Sequence, residues 1–266
     1  MNGTPPPPGS TSRETYSSPA GPAAAQPREQ MVRIDLPARK PVVTYTLIAV
    51  TAVIFLLQLA SQSLFGGDLL LALGAKVNSY IRAGELWRLF TPMFLHVTIL
   101  HIAFNMYALF VLGPGLERQF GPWRYLALYL LSGFTGNVMS FIFSSAASAG
   151  ASTAIFGLLG GQIVLVYQNR QLFGGRFRSI LFNTVFIAAV NLIIGLSPGI
   201  DNWGHLGGLI GGTLFAWFAG PLWRVEGLYP TYKLVDRRGV NQALLAALGV
   251  AILFAAAFVL ALTRSG

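Results

Sequence analysis

Cysteine is absent from the 266 residues, which excludes disulfides, thiolate metal sites and a cysteine nucleophile. Charge is scarce as well: Asp, Glu, Lys and Arg together make up 10% of the chain, against 54% hydrophobic residues. An ordinary globular domain carries about a quarter charged residues, so this chain takes lipid as part of its solvent. Acidic groups are the rarest, nine against eighteen Lys and Arg, giving a formal charge of +9. Such an excess can mark nucleic-acid binding. Here, however, the basic residues sit in the gaps between long apolar runs and make no face that could track phosphates. No nucleic-acid partner is expected.

Apolar residues run short in one place, the first forty positions. That stretch is rich in Pro, Ala, Ser and Gly from Pro5 to Pro27, with too little apolar surface to offset the entropy of ordering. Residues 1–40 read as a disordered Pro/Ala/Ser-rich cytoplasmic tail. They lack the basic start and short apolar core of a secretory signal, so the first hydrophobic segment is expected to stay as an anchor.

What is present is a series of apolar stretches of crossing length. A helix needs about 20 apolar residues to span the hydrocarbon, where each backbone group must find its partner within the helix. Candidate spans are 42–61, 94–113, 123–145, 151–168, 180–196, 203–222 and 240–262. The expected fold is all-α, a polytopic transmembrane bundle. With the N-terminus inside, fourteen Lys and Arg fall on the cytoplasmic side, including a basic linker at 223–239, and only Lys76, Arg82, Arg88 and Arg264 fall outside. That asymmetry follows the positive-inside rule and puts the C-terminus outside. The long 65–90 connection, with its Leu69–Leu73 run, is expected to pack partly into the outer leaflet.

Polar groups within membrane helices are costly unless they have partners, so each one is a functional hypothesis. All three histidines qualify. His96, His101 and Asn105 lie in the second span, His101 and Asn105 on one helix face at i, i+4. His205 opens the sixth span within Asn202-Trp203-Gly204-His205-Leu206-Gly207-Gly208, and Ser152 opens the fourth within Gly150-Ala151-Ser152-Thr153. Spans two, four and six run in the same direction. At about 1.5 Å per residue, Ser152 and His205 should lie less than roughly 10 Å below their helix starts, at one depth near the outer surface.

Hydrolysis requires a nucleophile made reactive by a base, and donors aimed at the developing oxyanion. Ser152 supplies the first and neutral His205 the second. The Ser152 N–H and the Asn105 and His101 side chains supply the donors. Asp201 precedes His205 by one turn, either as the orienting third member of a triad or as the N-cap of its helix. The N-cap reading is preferred, leaving a Ser–His dyad. Glycines 204, 208 and 212 recur every fourth residue, a small-xxx-small seam expected to pack against Gly157 and Gly161 and so bring His205 to Ser152.

These residues resemble the rhomboid family of intramembrane serine proteases. The family pattern is Gly-x-Ser-Gly in the fourth helix, a His with Gly-rich spacing in the sixth, and His-x-x-x-Asn in the second. Here these read Gly150-Ala151-Ser152-Thr153, His205-Leu206-Gly207-Gly208 and His101-Ile102-Ala103-Phe104-Asn105. The Trp-Arg pair Trp87-Arg88, the upstream His96 and the Glu117-Arg118 step also match, and the likeness runs from about residue 40 to 222. It implies a six-helix protease core at 41–222, with the segment 240–266 resembling the extra C-terminal helix that some rhomboids append. Phe156 stands where the family places an aromatic against the catalytic His; lipid-facing bulk is its other reading. Thr153 departs from the pattern, placing a β-branched side chain beside the nucleophile where Gly is usual.

The implied reaction is endoproteolysis of a membrane-anchored protein, cut within or beside its transmembrane segment, without metal or cofactor. The implied partners are transmembrane protein substrates and the bilayer, with entry sideways from lipid and the fifth span and the outer loops as candidate gates. The implied location is the cell membrane. Two rivals stand beside this reading. A noncatalytic rhomboid-like binder would usually have lost the Ser or the His, and both are kept. A transporter would show related halves or intramembrane carboxylates, and neither is found.

Overall fold

The computed structural model describes Gly3 and residues 40–228 and 232–264, so the N-terminal tail lies outside the described residues. Helix α1 (Val42–Phe65) stops at Gly66, whose φ of 72° lets its N–H turn back to the Gln62 carbonyl. A connection containing α2 (Leu69–Gly74), α3 (Asn78–Arg82) and 3₁₀ turns at Leu86–Leu89 and Thr91–Phe94 leads to α4 (Ile99–Phe120). Then come α5 (Pro122–Phe143), α6 (Ser152–Gln168), the single turn α7 (Arg170–Phe173), α8 (Phe177–Ile194) and α9 (Asn202–Ala219). Strands β1 (Trp223–Glu226) and β2 (Lys233–Asp236) pair antiparallel before α10 (Val240–Arg264).

Five helices are long and apolar enough to cross a membrane: α1, α4, α5, the α7–α8 stretch and α10. Shorter α6 and glycine-rich α9 complete the all-α polytopic bundle, with α10 added to its six-helix core. The interior belongs to α5, α6 and α9. Twelve of the seventeen residues of α6 are buried.

Missing side chains make this packing possible. A Cβ on Gly208 would overlap the Thr153 carbonyl oxygen, one on Gly212 would overlap the Gly157 backbone, and one on Gly204 would stand 3.0 Å from the Thr153 methyl. Close backbone approach of this kind replaces the hydrophobic driving force that lipid removes. One detail differs from expectation: Gly160, not Gly161, joins Gly157 against α9, while Gly161 meets Leu128 of α5. A helix face turns by about 100° per residue, so neighbouring glycines necessarily serve different partners.

A further difference has a local cause. The second span starts at Ile99 and ends at Phe120, later at both ends than the expected 94–113. Pro92 holds the preceding residues in a 3₁₀ turn, and the Thr98 hydroxyl caps the helix by accepting the His101 N–H at 3.1 Å. Pro114 is absorbed inside α4. The basic 223–239 stretch carries the β1–β2 hairpin. Arg124 of α5 pairs with Asp236 and donates to the Arg238 carbonyl, and Arg238 in turn donates to Gln168 at 2.9 Å and to the Gly220 carbonyl at 2.7 Å.

Candidate active site

Ser152 is the first residue of α6, and the eight residues before it form an extended connection from α5. His205 lies in the first turn of α9, which Asp201 caps. The glycine seam between these helices brings Ser152 Oγ to 2.8 Å from His205 Nε2, a hydrogen bond between residues distant in sequence. Phe156, one turn along α6, stacks on the His205 ring at 4.4 Å with the planes 14° apart. Phe156 is buried, so it packs on the imidazole and does not serve as lipid-facing bulk.

Asp201 is committed elsewhere. One carboxylate oxygen accepts the Gly204 N–H at 2.9 Å and the other accepts the Ser140 hydroxyl. His205 Nδ1 is buried without a hydrogen-bond partner among the described residues. The arrangement is therefore a Ser–His pair with an aromatic wall, and Asp201 is an N-cap that also ties α9 to α5.

His101 and Asn105 line the same cavity as Ser152 and His205. Asn105 Nδ2 donates to the His101 carbonyl at 2.9 Å, which uses one of its two amide hydrogens and leaves the other for an occupant. A Cβ on Gly150 would stand 2.7 Å from the His101 ring, and its φ of 146° is one that side chains rarely adopt, so Gly is needed where the chain passes the imidazole. The first-turn N–H groups of α6, starting at Ser152, are the positive end of that helix.

The other residues singled out above build the frame of the site. His96 Nε2 accepts the Ala151 N–H at 3.3 Å, and the His96 and His101 rings meet edge to face at 5.0 Å. Arg88, almost wholly buried, pairs with Glu85 at 2.7 Å, donates to the Ala75 and Ala72 carbonyls at 2.8 Å each, and lies over the Tyr80 ring. Trp87 donates to the Leu73 carbonyl at 3.1 Å. Glu117 sits farther along α4, about 18 Å from Asn105 by helical rise. Its carboxylate accepts the Val43 and Thr44 N–H groups and the Thr44 hydroxyl, fastening the start of α1.

Thr153 packs toward the helix seam, with its side chain against Gly136 and Gly204. A residue that sequence reasoning missed is Gln58 of α1, which exchanges hydrogen bonds with the His96 backbone at 3.0 and 3.1 Å. Its signal is present in the sequence, since a Gln inside an apolar span is as costly as a His.

The cavity has a volume of about 1200 Å³ and lies between α4, α6 and α8. Its walls include Phe104 and Val111 of α4, Leu159 and Gln162 of α6, and Thr184 and Ile187 of α8. Among the described residues, no group of three His, Asp or Glu side chains is placed to hold a metal ion. The site thus offers a hydroxyl, an imidazole, amide donors and a long apolar trough.

Residues 83–222 match the profile of the Rhomboid domain. The chain is 41% identical over 216 residues to Rhomboid protease GluP of Bacillus subtilis (strain 168), covering 81% of this chain and 40% of that protein. It is 40% identical over 139 residues to RHOMBOID-like protein 1 of Arabidopsis thaliana, covering 52% of this chain and 36% of the relative. Against RHOMBOID-like protein 9, chloroplastic, of the same plant, identity is 36% over 150 residues, or 56% and 35% of the two chains. The chain thus spans well under half the length of these relatives. The Rhomboid match takes in more than half of this chain, from just after α3 through α9, and contains both Ser152 and His205: the chain belongs to the rhomboid family.

Proposed function

We propose that this protein is an intramembrane serine endopeptidase that cleaves transmembrane segments of membrane-anchored proteins with a Ser152–His205 dyad. The observation that carries the reading is the 2.8 Å contact between Ser152 Oγ and His205 Nε2, on the wall of a cavity of about 1200 Å³. Its similarity to Rhomboid protease GluP supports the same reaction class.

In this reading Ser152 Oγ attacks the scissile carbonyl carbon as neutral His205 Nε2 takes its proton. The tetrahedral oxyanion is held by the Ser152 N–H, the free amide hydrogen of Asn105 and the His101 ring. Collapse breaks the C–N bond, and the imidazolium returns its proton to the leaving amine. Water, deprotonated by His205, then hydrolyses the acyl-enzyme. Phe156 keeps the imidazole in plane in place of a carboxylate. The substrate enters sideways between α4 and α8, and its helix must unwind locally to expose a peptide bond, which favours helix-weakening Gly or small residues at the cut.

Fourteen of the eighteen Lys and Arg lie on one side if the N-terminus is cytoplasmic, so the reading places the C-terminus and the Ser152 end of the bundle outside, in the cell membrane. Residues 41–222 form the catalytic core, 223–239 a basic linker and 240–266 an appended helix. Purified protein reconstituted in liposomes with a model transmembrane substrate tests the reaction. Wild type should release two fragments and Ser152→Ala none. Equal cleavage by both would sink the assignment, and intact substrate held by wild type without cleavage would favour a rhomboid-like binder.

A further inference from the structure

The connection that delivers Ser152 is held from outside its own helices. Residues 144–148 run between α5 and the turn at Gly150, and Lys76, two residues after α2, binds one edge of them. Its ammonium donates to the Ser144 carbonyl at 2.7 Å and the Ala146 carbonyl at 3.0 Å. Its backbone N–H donates to the Ser148 carbonyl at 2.9 Å, and its carbonyl accepts the Ser148 N–H at 3.0 Å. Three alternate carbonyls therefore go to a single residue. Beside it, Asn78 donates to the Phe141 and Ser144 carbonyls at 3.1 and 3.0 Å. The last steps before the nucleophile are fixed the same way: the Gly150 N–H reaches the Pro92 carbonyl at 2.9 Å, and the Ala151 N–H reaches His96.

Lys76 is fully buried, and among the described residues no carboxylate pairs with its ammonium. A buried charge costs several kcal/mol, and an apolar side chain of similar length would fill the volume without that cost. A purely structural plug needs no ammonium. Charge-assisted bonds to neutral carbonyls, on the other hand, are directional and roughly twice as strong as neutral ones, so they set the position of the strand they grip. Resting on the protease reading above, we infer that Lys76 is a positioning residue. Its ammonium and backbone clamp residues 144–148 and thereby fix where Gly150, Ala151 and Ser152 stand relative to His205.

The clamp has a built-in pH limit. Burial pushes Lys76 down to about 8, opposed by the negative charge of Asp201 at the start of α9. Among the described residues, the other charged or titratable groups on α2, α3 and the adjoining 3₁₀ turn are Asp68, which caps α2, Tyr80 and Arg82 of α3, and the ion-paired Arg88 and Glu85. As pH rises through about 8 the ammonium becomes an amine and its bonds to Ser144 and Ala146 weaken.

The test compares wild type, Lys76→Met and Lys76→Arg as full-length protein in liposomes, by hydrogen exchange and by cleavage of a model transmembrane substrate. In Lys76→Met the Ser148, Gly150 and Ala151 amides should exchange at least about tenfold faster while those of α5 and α6 stay protected. Its kcat should fall about 10- to 100-fold, the cost of an ångström-scale misplacement, with KM within about twofold. Lys76→Arg should recover most of kcat. Wild-type kcat should decline above pH 8, and that decline should be missing in Lys76→Arg. Unchanged exchange in Lys76→Met overturns the clamp whether or not the protein cleaves. So does a loss of activity that only tracks the folded fraction. Faster exchange in Lys76→Met, when wild type itself never cleaves, would instead remove the protease reading and leave Lys76 as a structural clamp alone.

Discussion

Helices α6 and α8 face each other across the same cavity and are built on opposite terms. Helix α6 buries twelve of its seventeen residues and meets α5 and α9 backbone to backbone across glycines. Helix α8 buries only Thr184 and Ala188 of its eighteen, and among the described residues its side-chain hydrogen bonds to the rest of the bundle are Gln162 to Thr184 and Asn202 to the Leu192 carbonyl, each at 3.1 Å. Close packing fixes atoms to fractions of an ångström, which a nucleophile and its base require. A wall with few buried contacts can move at small cost. Under the proposed function, the contrast matches a site whose reacting groups are held rigidly while its substrate wall yields.

The comparison breaks most completely at the rigid side. Ser152→Ala and His205→Ala should each lower kcat by about 10⁴-fold or more, because members of a catalytic unit fail together. Rates of model-substrate cleavage check this, and Asp201→Asn should cost far less than His205→Ala, since its oxygens serve Gly204 and Ser140. Next in size is the proposed oxyanion donor: Asn105→Ala should slow kcat by about 10²-fold, whereas a raised KM at constant kcat would move Asn105 into substrate binding.

Packing gives the next step down. Gly208→Ala forces a methyl against the Thr153 carbonyl and should destabilise the fold by about 1–3 kcal/mol while separating Ser152 from His205. Ile187→Ala on α8, where the side chain lines the cavity and is 49% exposed, should change stability by less than about 0.5 kcal/mol and alter kcat/KM instead. Thermal unfolding alongside turnover separates the two, and equal stability losses would erase the distinction between the helices. The smallest effect on turnover belongs to Thr153→Gly. Its buried side chain fills space between Gly136 and Gly204, so activity should stay within a few-fold, while emptying that space should cost about 1–2 kcal/mol of stability. Rescue of an otherwise inert enzyme by this change would contradict that placement.

Much of the site is legible in the sequence because lipid makes polar residues conspicuous. Ser152, His205, His101 and Asn105 stand out in apolar runs, and the glycine spacing of α9 by itself signals close helix approach. The parts that are not legible depend on partners distant in sequence. Whether Asp201 orients His205 or caps α9 turns on Ser140, sixty-one positions away, and no local pattern carries that. Lys76 reads as an ordinary loop cation until the fold sets the 144–148 carbonyls against it. The start of α4 escapes a hydropathy reading because apolar residues run straight through Phe94 and Leu95, while the capping hydroxyl of Thr98 and the 3₁₀ turn at Pro92 decide where the helix begins.

The most direct measurement is the site of covalent labelling by a fluorophosphonate in the reconstituted protein, located by mass spectrometry. The Ser152–His205 account predicts one adduct, on Ser152, that disappears in Ser152→Ala and forms at least about 10³-fold more slowly in His205→Ala. Labelling at full rate without His205, or at another serine altogether, would contradict it.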